Sequence, residues 1–399
     1  MNEIKKGIFA VPFLALAALS LFIFSACPFG AKIDVKKPPP VYTITYNLNG
    51  GNGTTPGEEK CTAGDSVTLA SGNGFSRNGY TFEGWNTNSS GSGTNYNAGA
   101  QYTPARTITL YAKWAEIPPP QIDIDMVWVP GGTFRMGNRN PLPADDARGI
   151  PVHDVTVSGF WIGKYAITQA QYQAATGTNP VASNGAFNVG DNKPVTFVNW
   201  YDAVEFCNRL SEGKGLTPYY TVDKGQRDPS NTNADDNLKW LVTGNQNANG
   251  FRLPTEAEWE HAARGGNSSD NLYSGSNNAG EVAWHGNPNG NSGSQMHDVG
   301  TKNANRLGIY DMSGNAWEWC WDWFGSYSSG AQTNPEGPSS GSSRTARGGS
   351  YMNNAGSAAV HNRANDLPPH TGGASAYIIG FRIALPERGG DYLNLQKNN

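Results

Sequence analysis

The chain has 399 residues, 50 of them Gly and 25 Pro, with only 16% charged side chains and a formal net charge of −4. That length exceeds one ordinary domain, the Gly and Pro content argues against long helices, and the lack of a basic surplus argues against nucleic acid as a partner. Twelve Trp and 17 Tyr supply the material for a core, or for a stacking surface, in a chain of modest aliphatic content.

At the N-terminus Lys5 and Lys6 precede an apolar run over residues 8–24, which ends on Ser25-Ala26-Cys27. This is the layout of a signal peptide. The small pair before the cysteine resembles a bacterial lipobox, with Phe24 a departure from its aliphatic position. The resemblance implies that residues 1–27 are a lipoprotein signal with Cys27 as the lipid-attachment site, and that the mature protein sits in the cell envelope, extracytoplasmic and held to a membrane by its acyl chains. A single membrane span and plain secretion are the alternatives. Cys61, Cys207 and Cys320 remain. Three cysteines leave at least one thiol unpaired and form no disulfide framework.

Residues 28–40 are a Lys/Pro tether ending in Pro38-Pro39-Pro40, and a second triple proline lies in a linker over residues 116–121. Between them, residues 41–115 are β-rich. Alternation over residues 42–48 predicts a strand, Asn49-Gly50-Gly51 a turn, and residues 107–114 another strand. The segments Tyr46-Asn47-Leu48-Asn49-Gly50-Gly51, Gly79-Tyr80-Thr81-Phe82-Glu83-Gly84-Trp85 and Leu110-Tyr111-Ala112-Lys113-Trp114 resemble the internalin-type B repeat of bacterial surface proteins. The resemblance implies a small β-grasp-like spacer or adhesive unit.

From Met126 onward, residues 126–130 and 132–137 predict short strands, and residues 155–162 alternate as one more. Helices are predicted over residues 168–175 behind Thr168, over 200–211 with Ala203, Val204, Cys207 and Leu210 on one face, and from Pro254, where Thr255 and Glu258 form a capping box. Residues 231–249 and 265–293 are Asn/Gly/Ser-rich and read as long loops.

Residues 122–385, followed by a tail over 386–399, carry six ordered blocks: Gly132-Thr133-Phe134-Arg135-Met136-Gly137; Pro194-Val195-Thr196-Phe197-Val198-Asn199-Trp200; the run from Arg252 to Glu260; the run from Gly308 to Trp319; Arg347-Gly348-Gly349-Ser350-Tyr351; and Gly380-Phe381-Arg382. They resemble the formylglycine-generating enzyme, or sulfatase-modifying factor, family. The fold this implies is an α+β, C-type-lectin-like scaffold with much irregular structure. In the family's oxidases two cysteines five positions apart bind copper, and here those positions are Asn353 and Ala358. Amide and methyl groups cannot replace the thiolates that hold a cuprous ion, so no copper is expected and no catalytic residue is assigned. Of the family's structural disulfide, Cys207 matches one half, but the other falls on Ile383. The six histidines show no two-His-carboxylate spacing and read as surface or packing residues.

Asp311, Gly314, Ala316 and Glu318 match a family calcium site, which implies a structural Ca²⁺ held by two carboxylates and two carbonyls. The alternative is that both carboxylates accept backbone hydrogen bonds in a tight turn. Trp317, Trp319, Trp321 and Trp323 alternate, which predicts four indoles on one face of a strand, buried as aromatic core or half-exposed as a stacking platform. Glu256, Glu258 and Glu260 read as capping and salt-bridging groups.

Residues 350–377 occupy the family's substrate groove and are rich in Asn, Ser, Gly and His. They suit adaptable binding loops, with Asn353, Asn354, His361, Asn365, Asp366, His370 and Tyr377 as candidate contacts. The segment also resembles the variable region of retroelement-diversified lipoproteins, with an ordinary polar loop as the alternative. Three functions remain open: a noncatalytic display of a domain that binds a protein or glycan ligand, an oxidoreductase of the sulfatase-modifying type using an unrecognised metal site, and a purely structural envelope protein.

Overall fold

The structure, a computed structural model, describes residues 37–77, 79–116, 122–139, 149–183, 188–266, 269–287, 289–366, 368 and 378–390. Cys27, His370 and Tyr377 lie outside these residues. The fold is mixed α and β, dominated by sheets and with few helices.

In the N-terminal module five strands run in the order Glu59–Thr62, Val41–Asn47, Ile108–Glu116, Tyr80–Asn86 and Asn95–Tyr96. The strand Val41–Asn47 pairs in parallel with Ile108–Glu116, which places Ile44, Tyr46 and Leu110 over the fully buried Trp85. The Trp85 indole donates to the Ala70 carbonyl at 2.8 Å, satisfying its only polar atom inside that core.

The C-terminal part is built from small sheets. Met126–Val129, Phe160–Gly163 and Ala384–Pro386 form one, while Gly132–Met136, His153–Val157 and Gln332–Thr333 form another. The single strand expected over residues 155–162 is therefore two, belonging to different sheets. The chain turns at Ser158-Gly159, where a Cβ on Gly159 would stand 2.5 Å from the Trp128 ring. The expected loop over residues 231–249 also contains a strand, Trp240–Gly244, paired with Tyr220–Arg227.

The three expected helices all form, those behind Thr168 and Thr255 where the capping residues place them. Thr168 caps Gln169–Thr176, Asn199 caps Trp200–Gly213 and Thr255 caps Glu256–Ala263, each in a reciprocal capping box.

The central sheet places Trp317–Trp323 between Arg344–Arg347 and Ile379–Phe381, with Arg363–Asp366 at the edge. Trp317, Trp319 and Trp323 of its middle strand are buried and Trp321 is half-buried; the first two and Trp321 pack in one core with the helix Trp200–Gly213. The opposite face is buried too: Cys320 joins Trp259 and Ala262 of the helix Glu256–Ala263, and Glu318 and Asp322 lie between the same two elements. A strand with both faces buried needs partners for every inward polar group, and these partners define the interior.

Candidate binding groove and its buried supports

The groove segment begins at the buried Ser350. Asn353, at the first thiol position, is half-buried. Its Oδ1 accepts from Trp317 Nε1 at 2.8 Å and from Ser350 Oγ at 2.5 Å, and its carbonyl accepts from Gly286 N at 2.7 Å. The Asn353 Oδ1 and carbonyl are thus committed to the framework. Asn354 is exposed and caps the short 3-10 helix Ala355–Ala358 through Ser357 N. Ala358, at the second thiol position, is buried against Tyr273, Ala279 and Val282, and its carbonyl accepts from Ser313 Oγ at 2.7 Å.

The other described candidates lie further along the segment. His361 is half-buried beside Gly149. Asn365 is exposed and Asp366 half-buried on the edge strand, opposite Thr345 and Arg344. Met352, which composition alone did not single out, is 55% exposed between the buried Tyr351 and the engaged Asn353, and is the apolar element of this surface. Its position directly after an aromatic core residue in the framework block was the available signal.

Glu318 is fully enclosed. Arg382 reaches it with Nε to Oε2 and Nη2 to Oε1, both at 2.6 Å, and Trp259 Nε1 donates to Oε2 at 2.7 Å. Arg382 also donates to the Gly163 and Tyr310 carbonyls. Asp311 adopts a left-handed φ of 58° and accepts from Gly300 N at 2.7 Å; burial pushes its carboxyl up to about 6. Gly314 has φ +80°, and a Cβ there would strike the Trp284 carbonyl at 2.3 Å; its own carbonyl accepts from Ala316 N. This donor set fits a resident Ca²⁺ poorly, because a guanidinium already neutralises Glu318 and occupies both its oxygens.

A second buried network ties the helix Glu256–Ala263 to the sheet. Glu260 pairs with Arg264 and Arg347 and accepts from Gly137 N, while Glu256 takes Arg363 on both oxygens at 2.5 and 2.6 Å. Burial alone would raise Glu260, but Arg264 and Arg347 overcome it and hold the carboxyl down at about 2. Glu258 instead closes the capping box and forks onto Arg252. The three glutamates serve architecture, as their spacing implied. Among the described residues, no three His, Cys, Asp or Glu side chains gather as metal ligands.

The described cysteines are free and buried, so Cys207 has no disulfide partner among them. Burial pushes the Cys207 and Cys320 thiols well up, away from the thiolate form that would bind metal or attack.

This scaffold and its blocks define the class: the chain belongs to the family described as the sulfatase-modifying factor enzyme 1-like domain, which matches residues 115–386. The Listeria-Bacteroides repeat domain matches residues 42–113. Among relatives, the chaperone protein LppX of Paenibacillus barcinonensis is 42% identical over 251 residues, covering 59% of this chain and 81% of that protein. The formylglycine-generating enzyme of Thermomonospora curvata is 32% identical over 268 residues, covering 59% of this chain and 84% of the enzyme. Among solved structures, Treponema denticola variable protein 1 superposes with a TM-score of 0.57 at 36% identity, over 68% of this chain and 98% of that one.

Proposed function

We propose that the protein is a cell-envelope lipoprotein, anchored through Cys27, whose C-terminal domain binds a protein or glycan ligand without turning it over. The observation that carries this reading is the chemistry at the two thiol positions. Asn353 is a hydrogen-bonded strut and Ala358 is apolar core, so neither offers the soft donors that copper-dependent oxygen activation requires. Around them the framework is intact, and Met352, Asn354 and Asn365 remain at the surface. Met352 beside Asn354 offers an apolar and an amide group suited to adaptable recognition. Similarity to proteins named a chaperone and a variable protein accords with binding as the task, and the repeat module then acts as a spacer.

Screening the full chain against peptide and glycan arrays tests this reading, with a Met352→Ser/Asn354→Ala/Asn365→Ala variant as the comparison. The account expects capture of a defined ligand class that weakens at least about tenfold in the variant. Equal capture by variant and parent places the function elsewhere.

A further inference from the structure

A cavity of about 490 Å³ lies between the N-terminus of the helix Glu256–Ala263, the end of the strand Trp317–Trp323 and the stretch over residues 325–338, with Arg363 also in its wall. At its wall Asp322 is only 3% exposed. One of its oxygens, Oδ2, accepts from Glu256 N at 2.7 Å, while the other, Oδ1, lies against Gly337 and has no hydrogen-bond partner among the described residues. His153 lines the same cavity and is 4% exposed. Its Nδ1 faces the Pro151 carbonyl at 3.1 Å. A carbonyl can only accept, so Nδ1 carries the proton and a neutral His153 ring offers Nε2 as an acceptor.

The other charges of the lining are arranged consistently with this. Glu256 is neutralised by Arg363, the one arginine of the lining, whose guanidinium is spent on both Glu256 oxygens and the Gly325 carbonyl. Glu336 adds a further carboxylate at the rim. Tyr327, 4.9 Å from the His153 ring, and Met136 and Pro338 supply apolar walls. The cavity therefore presents unspent acceptors and an aromatic wall, and every cation it contains is already paired.

We propose that this cavity binds the alkylammonium group of a compact primary amine, with Asp322 Oδ1 and His153 Nε2 as acceptors and Tyr327 and Met136 against the alkyl stem. An ammonium supplies three donors on a slim apolar chain, which matches acceptors set among apolar walls. Burial, with Glu256 close by, holds the empty Asp322 carboxyl well above the usual range, and an incoming cation supplies the positive partner that this carboxyl lacks.

The test is calorimetric titration of the full chain with n-butylamine and with Nα-acetyl-lysine methylamide, using n-butanol and butyrate as controls of matched size. Both amines are expected to bind and both controls to fail. Binding of n-butylamine alone identifies the ligand as a free amine; binding of the lysine derivative as well identifies a lysine side chain as the shared chemistry. Asp322→Asn retains an oxygen for Glu256 N and turns a donor towards the cavity, so it should keep the fold and weaken amine binding at least about tenfold. Butyrate binding as tightly as butylamine, no amine binding, or an unchanged affinity in a folded Asp322→Asn protein each overturns the proposal. The comparison of amine with butyrate in the parent protein decides it even if the variant does not fold.

Discussion

Trp317 donates its indole N–H to Asn353 Oδ1 at 2.8 Å, joining the central strand to the groove segment at the position where an oxidase of this family carries a thiol. The same side chain fastens the loop. Asn353→Ala should therefore cost about 1–2 kcal/mol, because it leaves the Trp317 donor and the Ser350 hydroxyl without their acceptor. Asn354→Ala and Asn365→Ala, at exposed positions, should stay within about 0.5 kcal/mol of the parent. Urea denaturation of the three single variants checks the ranking, and equal stability of all three means that Asn353 supports nothing.

The Glu318–Arg382 pair gives a second outcome. Glu318→Ala strands a buried guanidinium and should destabilise by about 3–5 kcal/mol. Chelator should leave the melting temperature of the parent unchanged, since Arg382 already supplies the positive charge. A chelator-dependent fall in melting temperature, lost in the variant, puts a cation back among Asp311, Gly314, Ala316 and Glu318.

Two buried carboxyls respond to pH with opposite signs. Glu260 sits at about 2, below its ordinary 4.5, so its contribution is complete above the unfolded value and disappears as pH falls through the folded one. Asp311 sits at about 6, above its ordinary 3.8, so it costs nothing below the unfolded value and its cost grows as pH rises through that window. Asp311→Asn keeps an oxygen for Gly300 N and a residue tolerant of positive φ. It should exceed the parent by roughly 1–3 kcal/mol near pH 8 and match it near pH 3. Denaturation curves at the two pH values check this, and a variant weaker than the parent near pH 8 contradicts it.

Anchoring is tested separately. Cys27→Ser removes the nucleophile that would carry the acyl chains, so the variant should leave the detergent phase or remain unprocessed in a partition assay. Equal detergent-phase retention of the parent and of a variant cleaved as the parent is removes the lipoprotein reading.

Local chemistry made much of this fold legible. Thr168 and Thr255 marked helix starts because a capping box is written in adjacent residues, and the alternation of Trp317, Trp319, Trp321 and Trp323 announced a strand with an aromatic core face. Pairings across long stretches of chain were hidden. Nothing near Glu318 in the sequence points to Arg382, and nothing near Glu256 points to Arg363, because each partner comes from a distant part of the chain. The strand Trp240–Gly244 escaped because its pairing with Tyr220–Arg227 spans an Asn- and Asp-rich loop. Asp322 was missed for a related reason. Once the indoles claim one face of the strand, Glu318, Cys320 and Asp322 must occupy the other, but only the packed helix Glu256–Ala263 shows that this face is buried as well.

The central claim is that the groove binds without oxidising. The most direct measurement is mass spectrometry of a cysteine-containing peptide incubated with the copper-supplemented protein in air, beside a formylglycine-generating enzyme as the positive control. The account predicts that the peptide's cysteine remains unconverted while the control produces aldehyde, since Asn353 and Ala358 provide no thiolate. Aldehyde formed by this chain, and abolished by heat denaturation, would contradict it.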